Sequence, residues 1–325
     1  MVRYVAKRLL LAGVTLVGIT IVTFAVTRLA PGDPALEAVS RGGASTMSAE
    51  AYARLRTYYE LDQPVTRQYA AWLGRVVRLD FGRSFHDGRR VTDKIGERLP
   101  ATLCLAGGAV VLSLAVAVPI GLASARRAGG VFDTVAGGIL AALYSVPRYV
   151  MAMLLIVVVG VHLDWFSPYG LRSENFEDMS YPGKAADLAR HFALIVFCFA
   201  YPLIAYQARF IRGNLLEVLG QDYVRTARAK GLPERVVLHR HAFRNTLLPL
   251  ITVVGLLVPS ALGGSVILET MFQWPGIGQL LFQAMTQRDY PVVMALTVVA
   301  AVVVLLCTLL ADLTYALADP RVRYA

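Results

Sequence analysis

Apolar residues along this chain gather in uninterrupted stretches rather than alternating with polar ones. A helix needs about 20 such residues to cross a hydrocarbon layer. The first stretch, residues 9–29, follows Arg3, Lys7 and Arg8. It is long and lacks a small-x-small cleavage site, so it reads as a retained helix rather than a signal peptide. Five more predicted spans cover residues 101–125, 133–161, 191–211, 246–268 and 291–316. The predicted fold is therefore an all-α membrane protein with six transmembrane helices.

The polar segments between spans set an orientation. Arg126 and Arg127 occupy the short second connection, and Arg225, Arg228, Lys230, Arg235, Arg240 and Arg244 the fourth. Positive residues stay on the cytoplasmic side, which places both termini and both of these loops there. The chain then divides into a transmembrane helix (1–30), an extracytoplasmic segment (31–100) and a five-helix core (101–316) containing a cytoplasmic loop at 213–245. A cytoplasmic tail (317–325) completes it. The 31–100 segment carries arginines too, but mixed with acids, and long loops cross regardless of charge. It opens on the turn cluster Pro31-Gly32-Asp33-Pro34, with helical patterns at 48–59 and 64–77, and 163–190 forms a second external loop. No internal repeat or low-complexity tract is visible.

Composition supports this reading. Of 325 residues, 56% are hydrophobic and only 17% charged, too few charges to cover a soluble domain of this size. The net charge of +10 collects at span ends, which favours anionic lipid over nucleic acid as its counterpart. Cys104, Cys198 and Cys307 lie singly in apolar runs and suggest neither disulfides nor a metal cluster. His86, His162, His191, His239 and His241 form no metal spacing within a span. There is no phosphate loop, nucleophile elbow or zinc-protease helix, so neither catalysis nor a resident cofactor is expected.

The fourth connection is the most informative. Residues 215–230 are rich in helix formers, Gly231 suits a left-handed cap, and Pro233-Glu234 suits the start of a second helix. The product is a basic helix–turn–helix. From the residues alone it is either a hairpin that docks on a soluble partner or a solvated loop that sets topology.

The string from Leu216 to Lys230, then Gly231-Leu232 and Arg240-His241-Ala242-Phe243-Arg244-Asn245, closely resembles the coupling loop of B-type permeases. These belong to the dipeptide, oligopeptide and nickel class of ABC importers. Against the general importer pattern (Glu-Ala-Ala, three residues, Gly, nine residues, Ile-x-Leu-Pro), Arg225-Thr226-Ala227 and His241-Ala242-Phe243-Arg244 fill the outer positions. Only Ala227 and Gly231 keep that pattern. The resemblance extends to Pro31-Gly32-Asp33-Pro34, Leu61-Asp62-Gln63-Pro64, Asp80-Phe81-Gly82-Arg83-Ser84 and Glu97-Arg98-Leu99-Pro100-Ala101-Thr102. It continues in Trp274-Pro275-Gly276-Ile277-Gly278, Arg288-Asp289-Tyr290-Pro291, and the tail with Asp312 and Asp319-Pro320-Arg321.

The resemblance implies a type I importer permease that forms half of a pathway for peptides, with nickel, glutathione or a sugar as alternative cargo. It implies four kinds of partner: a C-type permease, one or two ATPase subunits holding ATP and Mg, an extracytoplasmic binding protein, and anionic lipid of the bacterial inner membrane. Asp222, Tyr223, Arg225, Thr226, Ala227, Arg228, Lys230, Gly231, Arg240, His241 and Arg244 would face the ATPase. Glu269, Phe272, Trp274, Pro275, Gly276 and Gly278 would form an extracytoplasmic gate, whose Pro-Gly-x-Gly stretch either dips toward the pathway or makes a tight surface turn.

Arg148 departs from the family habit of a small or polar residue. In a continuous third span it lies on the order of 20 Å from either end, where a charge costs about 2.5–3.5 kcal/mol and faces a cavity or a partner. It either lines the pathway and favours carboxylate-bearing solutes, or pairs at a subunit interface. Pro147 loosens that helix, and Tyr144 lies one turn earlier on the same face. Tyr201 and Gln207 of the fourth span are pathway candidates or interhelical hydrogen-bond partners. A self-sufficient channel or secondary transporter would show inverted repeats and ion relays, and neither is visible.

Overall fold

The computed structural model describes residues 2–29, 63–247, 250, 253, 255 and 265–318. The turn cluster at 31–34, the helical pattern at 48–59, most of the fifth predicted span and the final tail lie outside them. Among the described residues the protein is helical. Four helices are long and apolar enough to cross a membrane: α1 (Val2–Leu29), α3 (Val91–Arg126), α6 (Tyr181–Leu219) and α11 (Tyr290–Ala318). Shorter helices are α2 (Val65–Val77), α4 (Val131–Ser145), α5 (Arg148–Leu155), α7 (Asp222–Ala229), α8 (Glu234–Val236), α9 (Ser265–Met271) and α10 (Ile277–Thr286). Two stretches, Ile156–His162 after α5 and Val237–Phe243 after α8, continue as π-helix.

The long helices outrun the apolar stretches that predict them. At about 1.5 Å per residue, the 39 residues of α6 reach roughly 58 Å, nearly twice a hydrocarbon core of about 30 Å. The connection expected from residue 213 therefore begins as seven further residues of helix. Apolar side chains of α1 such as Leu10, Val14, Val22 and Val26 are exposed, as a lipid-facing helix requires.

The third predicted span, 133–161, is not one helix. The axes of α4 and the α5 arm meet at 93°. Proline forces the residue before it out of the helical region, and Val146 is accordingly extended (φ −80°, ψ 122°), as is Pro147 (φ −61°, ψ 142°). Each arm has 15 residues, about 22 Å, and is too short to cross alone. Arg148 therefore begins the second arm at the break instead of lying inside a continuous helix. The bend also removes the shared face assumed for Tyr144 and Arg148.

The chain forms two compact units, Met1–Pro100 with Gly276–Leu306, and Ala101–Pro275 with Cys307–Ala325. In the first, α2 packs on the last turns of α1 through Tyr69 and Trp72 against Phe24, and the Tyr69 and Thr20 hydroxyls lie 2.9 Å apart. Val91 and Ile95 pack with Leu280, Ala284, Val292 and Leu296. Buried Asp289 accepts from Ser84 Oγ at 2.5 Å and from the Phe85 amide at 2.9 Å, fixing the turn before α3. Asp87 in that turn is raised by burial, but the Lys94 ammonium, the Arg89 amide and Ser84 outweigh this and hold it at about 2.

In the second unit, the rest of α3 packs on α6 at small residues. A side chain at Gly121 would meet Ile211 Cγ2 at 2.8 Å and the Ala208 carbonyl at 3.0 Å, so glycine permits the close approach common between membrane helices. Asp133, at the start of α4, accepts from Arg212 Nε at 2.5 Å and Nη2 at 2.7 Å, and from the Gly129 amide at 2.9 Å. Asp187 similarly ties the loop before α6 by accepting from the amide and hydroxyl of Ser173. Replacing Asp289 by Ala leaves Ser84 and the Phe85 amide without their acceptor. The expected loss is about 2 kcal/mol, read as a lowered Tm in a detergent-solubilised thermal scan, with Asp289→Asn losing less.

Candidate functional site

Two short helices emerge from the end of α6 as a hairpin. Gln221 caps α7 in an extended conformation and Asp222 occupies its first turn, where a negative charge complements the helix dipole. The chain reverses at Gly231, whose φ is +76°, a left-handed conformation that glycine adopts without steric penalty. Pro233 then caps α8. Val224, Ala227 and Val237 are buried together against Val218 and Leu219, so the two helices close on an apolar seam. Arg228 donates to both Glu234 carboxylate oxygens across the turn, at 3.1 and 2.7 Å, and Asn245 Nδ2 donates to the Tyr223 hydroxyl at 2.8 Å.

The Arg228 hydrogen bonds hold the Glu234 carboxyl below its ordinary value against a weaker opposing effect of burial. Because the folded value is depressed, this support is complete above the ordinary value of 4.5 and fades as pH falls through the lower one. Both groups are nearly half exposed, so the bridge adds under about 1 kcal/mol. The buried seam supplies most of the rigidity.

Of the expected ATPase-facing residues, Asp222, Tyr223, Arg225, Thr226, Arg228, Lys230, Gly231, Arg240 and Arg244 are exposed, and His241 is half-buried. Ala227 is buried in the seam, where it shapes the hairpin without reaching its outer surface. Glu234 and Asn245 complete the fold of the hairpin. The five-residue gap between Arg228 and Glu234 across a glycine was the available signal for the first of them.

The expected pathway residues share the second unit. Pro147 makes the break, and Tyr201 answers it: its buried hydroxyl donates to the Val146 carbonyl at 2.6 Å. Tyr201 is thus an interhelical partner that satisfies backbone opened by the bend. Arg148 is half-buried at the first position of α5. Tyr144 is exposed, with the Arg209 guanidinium 4.9 Å from its ring centroid. Gln207 is wholly buried, and neither side-chain polar atom has a partner among the described residues.

Of the expected gate residues, Glu269, Phe272 and Trp274 are buried. Glu269 Oε1 accepts from Thr102 Oγ1 at 2.9 Å, and the Trp274 indole donates to the Ala101 carbonyl at 3.3 Å. The Phe272 carbonyl accepts from the Gly170 amide at 2.7 Å. Gln273 has a φ of +52°, which turns the chain sharply before Trp274. Pro275 is half-buried, Gly276 caps α10 in an extended conformation, and Gly278 is buried in its first turn.

Long apolar helices, a proline-broken arm and a basic hairpin describe the membrane component of a transporter. The chain belongs to the family of binding-protein-dependent transport system inner membrane components. That family matches residues 117–324, and its N-terminal companion matches residues 1–106. The chain is accordingly a multi-pass integral membrane protein. The oligopeptide transport system permease protein AppB of Bacillus subtilis (strain 168) is 39% identical over 331 residues, covering 100% of both chains. The dipeptide transport system permease protein DppB of Escherichia coli (strain K12) is 36% identical over 340 residues, covering 100% of this chain and 99% of that one. Inward-facing MetNI methionine ABC transporter has a chain of similar fold, with a TM-score of 0.56 at 15% identity, covering 70% of this chain and 96% of its own.

A Cβ at Gly231 would meet nothing within 4 Å, so its replacement tests backbone conformation alone. Gly231→Ala is expected to weaken the hairpin by about 1–2 kcal/mol, accelerating amide exchange in α7 and α8 roughly 5–30-fold. Gly231→Asn, better suited to left-handed backbone, is expected to lose less.

Proposed function

We propose that this chain is one of two membrane-spanning subunits of an ATP-driven, binding-protein-dependent importer of peptides, and that its basic hairpin is the surface that docks on the ATPase. One observation carries the docking role: a seam-packed hairpin reversing at a left-handed glycine and presenting Asp222, Arg225 and Lys230 outward. A loop that only set topology would need the charges but not the buried Val224–Val237 contact. A rigid charged knob can transmit displacement, because its two helices and the end of α6 pack as one body.

The chain supplies force transmission and half of the pathway; ATP and Mg bind the partner. In this reading both termini and the hairpin are cytoplasmic, a second, C-type permease completes the pathway, and an extracytoplasmic binding protein delivers cargo near Glu269, Phe272 and Trp274. ATP-driven movement at the hairpin travels along α6, a continuous helix from Tyr181 to Leu219. Tyr201 on that helix holds Val146 at the α4–α5 break, so motion of α6 reaches the arm that begins with Arg148.

Peptide cargo rests on the full-length similarity to oligopeptide and dipeptide permeases and on the charge of Arg148. A cation beside the pathway attracts a peptide carboxylate and repels a bare metal cation. The hairpin, the α6 lever and the bend together form a mechanical route from nucleotide to cargo.

Arg225→Glu with Lys230→Glu reverses charge on the exposed face without touching the seam. The transporter is expected to lose ATPase co-purification and at least about tenfold in ATP-dependent uptake, with an unchanged Tm. Retained co-purification rejects the docking role. Arg148→Gln is expected to lower uptake of peptides with a free C-terminal carboxylate about tenfold relative to their amidated forms, the equivalent of about 1.4 kcal/mol. Equal loss for both peptides removes Arg148 from cargo selection.

A further inference from the structure

The first unit holds a cavity of about 620 Å³ whose walls, among the described residues, include Arg28, Arg75, Arg83 and Arg90, with Asp80 as their acidic member. Asp80 Oδ1 accepts from the Gly82 amide at 3.0 Å. The volume falls in the usual range for small-ligand sites. Nothing in the transport reading uses Arg83 or Arg90.

Arg83 and Arg90 face each other across an isolated antiparallel bridge. Residues so paired have Cβ atoms about 4.5–5.5 Å apart, and like charges there repel. An anion between the two guanidinium groups reverses the sign of that interaction, and guanidinium forks match phosphate oxygens in pairs. Arg83 spends one nitrogen on the Gly88 carbonyl at 2.9 Å, which fixes its direction and leaves further donors.

The depth of the cavity identifies the source of the anion. Its walls contain Phe24, Thr27 and Arg28 from the last turns of α1, and Tyr290 and Pro291 from the first turn of α11. Two membrane-length helices therefore end at this level, and Trp72 of α2 lies beside them. Aromatic rings with a polar edge concentrate where hydrocarbon gives way to headgroups.

An exposed apolar side chain of the lining fits the same layer. Leu79, which lines the cavity, is 70% exposed and is held at a φ of +59°, a conformation disfavoured for a side-chain-bearing residue. An exposed leucine fixed in that conformation gains from acyl chains what it cannot gain from water. A free phosphate or an acidic protein loop would use the arginines but leave Leu79 in water.

We propose that this cavity binds the phosphate headgroup of an anionic phospholipid, with Arg83 and Arg90 clamping the phosphate and Leu79 lying against its acyl chain. The site uses the family's membrane placement and does not depend on the role of the hairpin. It gives the α1–α2 pair a lipid anchor at the end of the first span.

The full chain, purified in mild detergent and mixed with phosphatidylglycerol or phosphatidylcholine, is examined by native mass spectrometry. Phosphatidylglycerol is expected to be retained at least about tenfold better. Arg83→Gln with Arg90→Gln is expected to cut that retention roughly 30-fold, Arg83→Lys with Arg90→Lys to lose less, and Leu79→Ser to lose a few-fold, all at unchanged Tm. Equal retention of the two lipids, or undiminished phosphatidylglycerol on the double glutamine variant, overturns the proposal. Displacement of the lipid by millimolar inorganic phosphate points to a free anion, and displacement by a polyglutamate peptide to an acidic protein surface; either result also overturns it.

Discussion

Hydrocarbon offers no hydrogen bonds to a peptide backbone, so every amide and carbonyl at membrane depth must find a partner within the protein. This constraint accounts for the long helices α1, α3, α6 and α11 and for the way the protein handles the sharp break at Pro147. Pro147 cannot donate, and it forces Val146 into an extended conformation. The Val146 carbonyl is recovered by the Tyr201 hydroxyl from a neighbouring helix. The bend is therefore paired with α6 by necessity: an element that must borrow a donor becomes sensitive to the element that lends it.

The hairpin solves a different problem. A loop in water has no shortage of hydrogen bonds, and its difficulty is conformational freedom. Here Val224, Ala227 and Val237 close a small apolar seam that holds the two short helices together, Gly231 permits the reversal, and the Arg228–Glu234 bridge spans the turn. Outward charges then stand on a body packed against the end of α6. Stiffness and exposed charge together suit a part that transmits force between subunits, whereas charge alone would suit a topology signal.

Arginine serves three physical ends in one chain. Arg212 neutralises the buried carboxylate of Asp133 and ties α4 to α6. Arg225 stands exposed on the hairpin. Arg83 and Arg90 are held face to face in a basic cavity among aromatic residues and exposed aliphatic ones. The same guanidinium thus stabilises where an acid is buried beside it, serves the proposed docking where it meets water, and serves the proposed lipid site where a second arginine stands opposite it.

Much of this was legible in the sequence. Long apolar runs announce membrane helices because burying 20 consecutive apolar residues has few other outcomes, and the Gly231-x-Pro233 punctuation announced the hairpin because glycine and proline restrict backbone locally. Local chemistry also flagged Pro147 and Arg148. Periodicity could not reveal that Pro147 turns the chain by 93°, since a proline in a membrane helix may only kink it, and the outcome depends on whether a neighbour supplies a donor. Tyr201 lies 55 residues from Val146, and nothing local marks the pair. The same holds for Asp133 with Arg212, and for the gathering of Arg28, Arg75, Arg83 and Arg90 around one cavity. Sequence determined what each stretch could become; tertiary packing decided which distant groups met, because partner choice is set by three-dimensional proximity rather than by spacing along the chain.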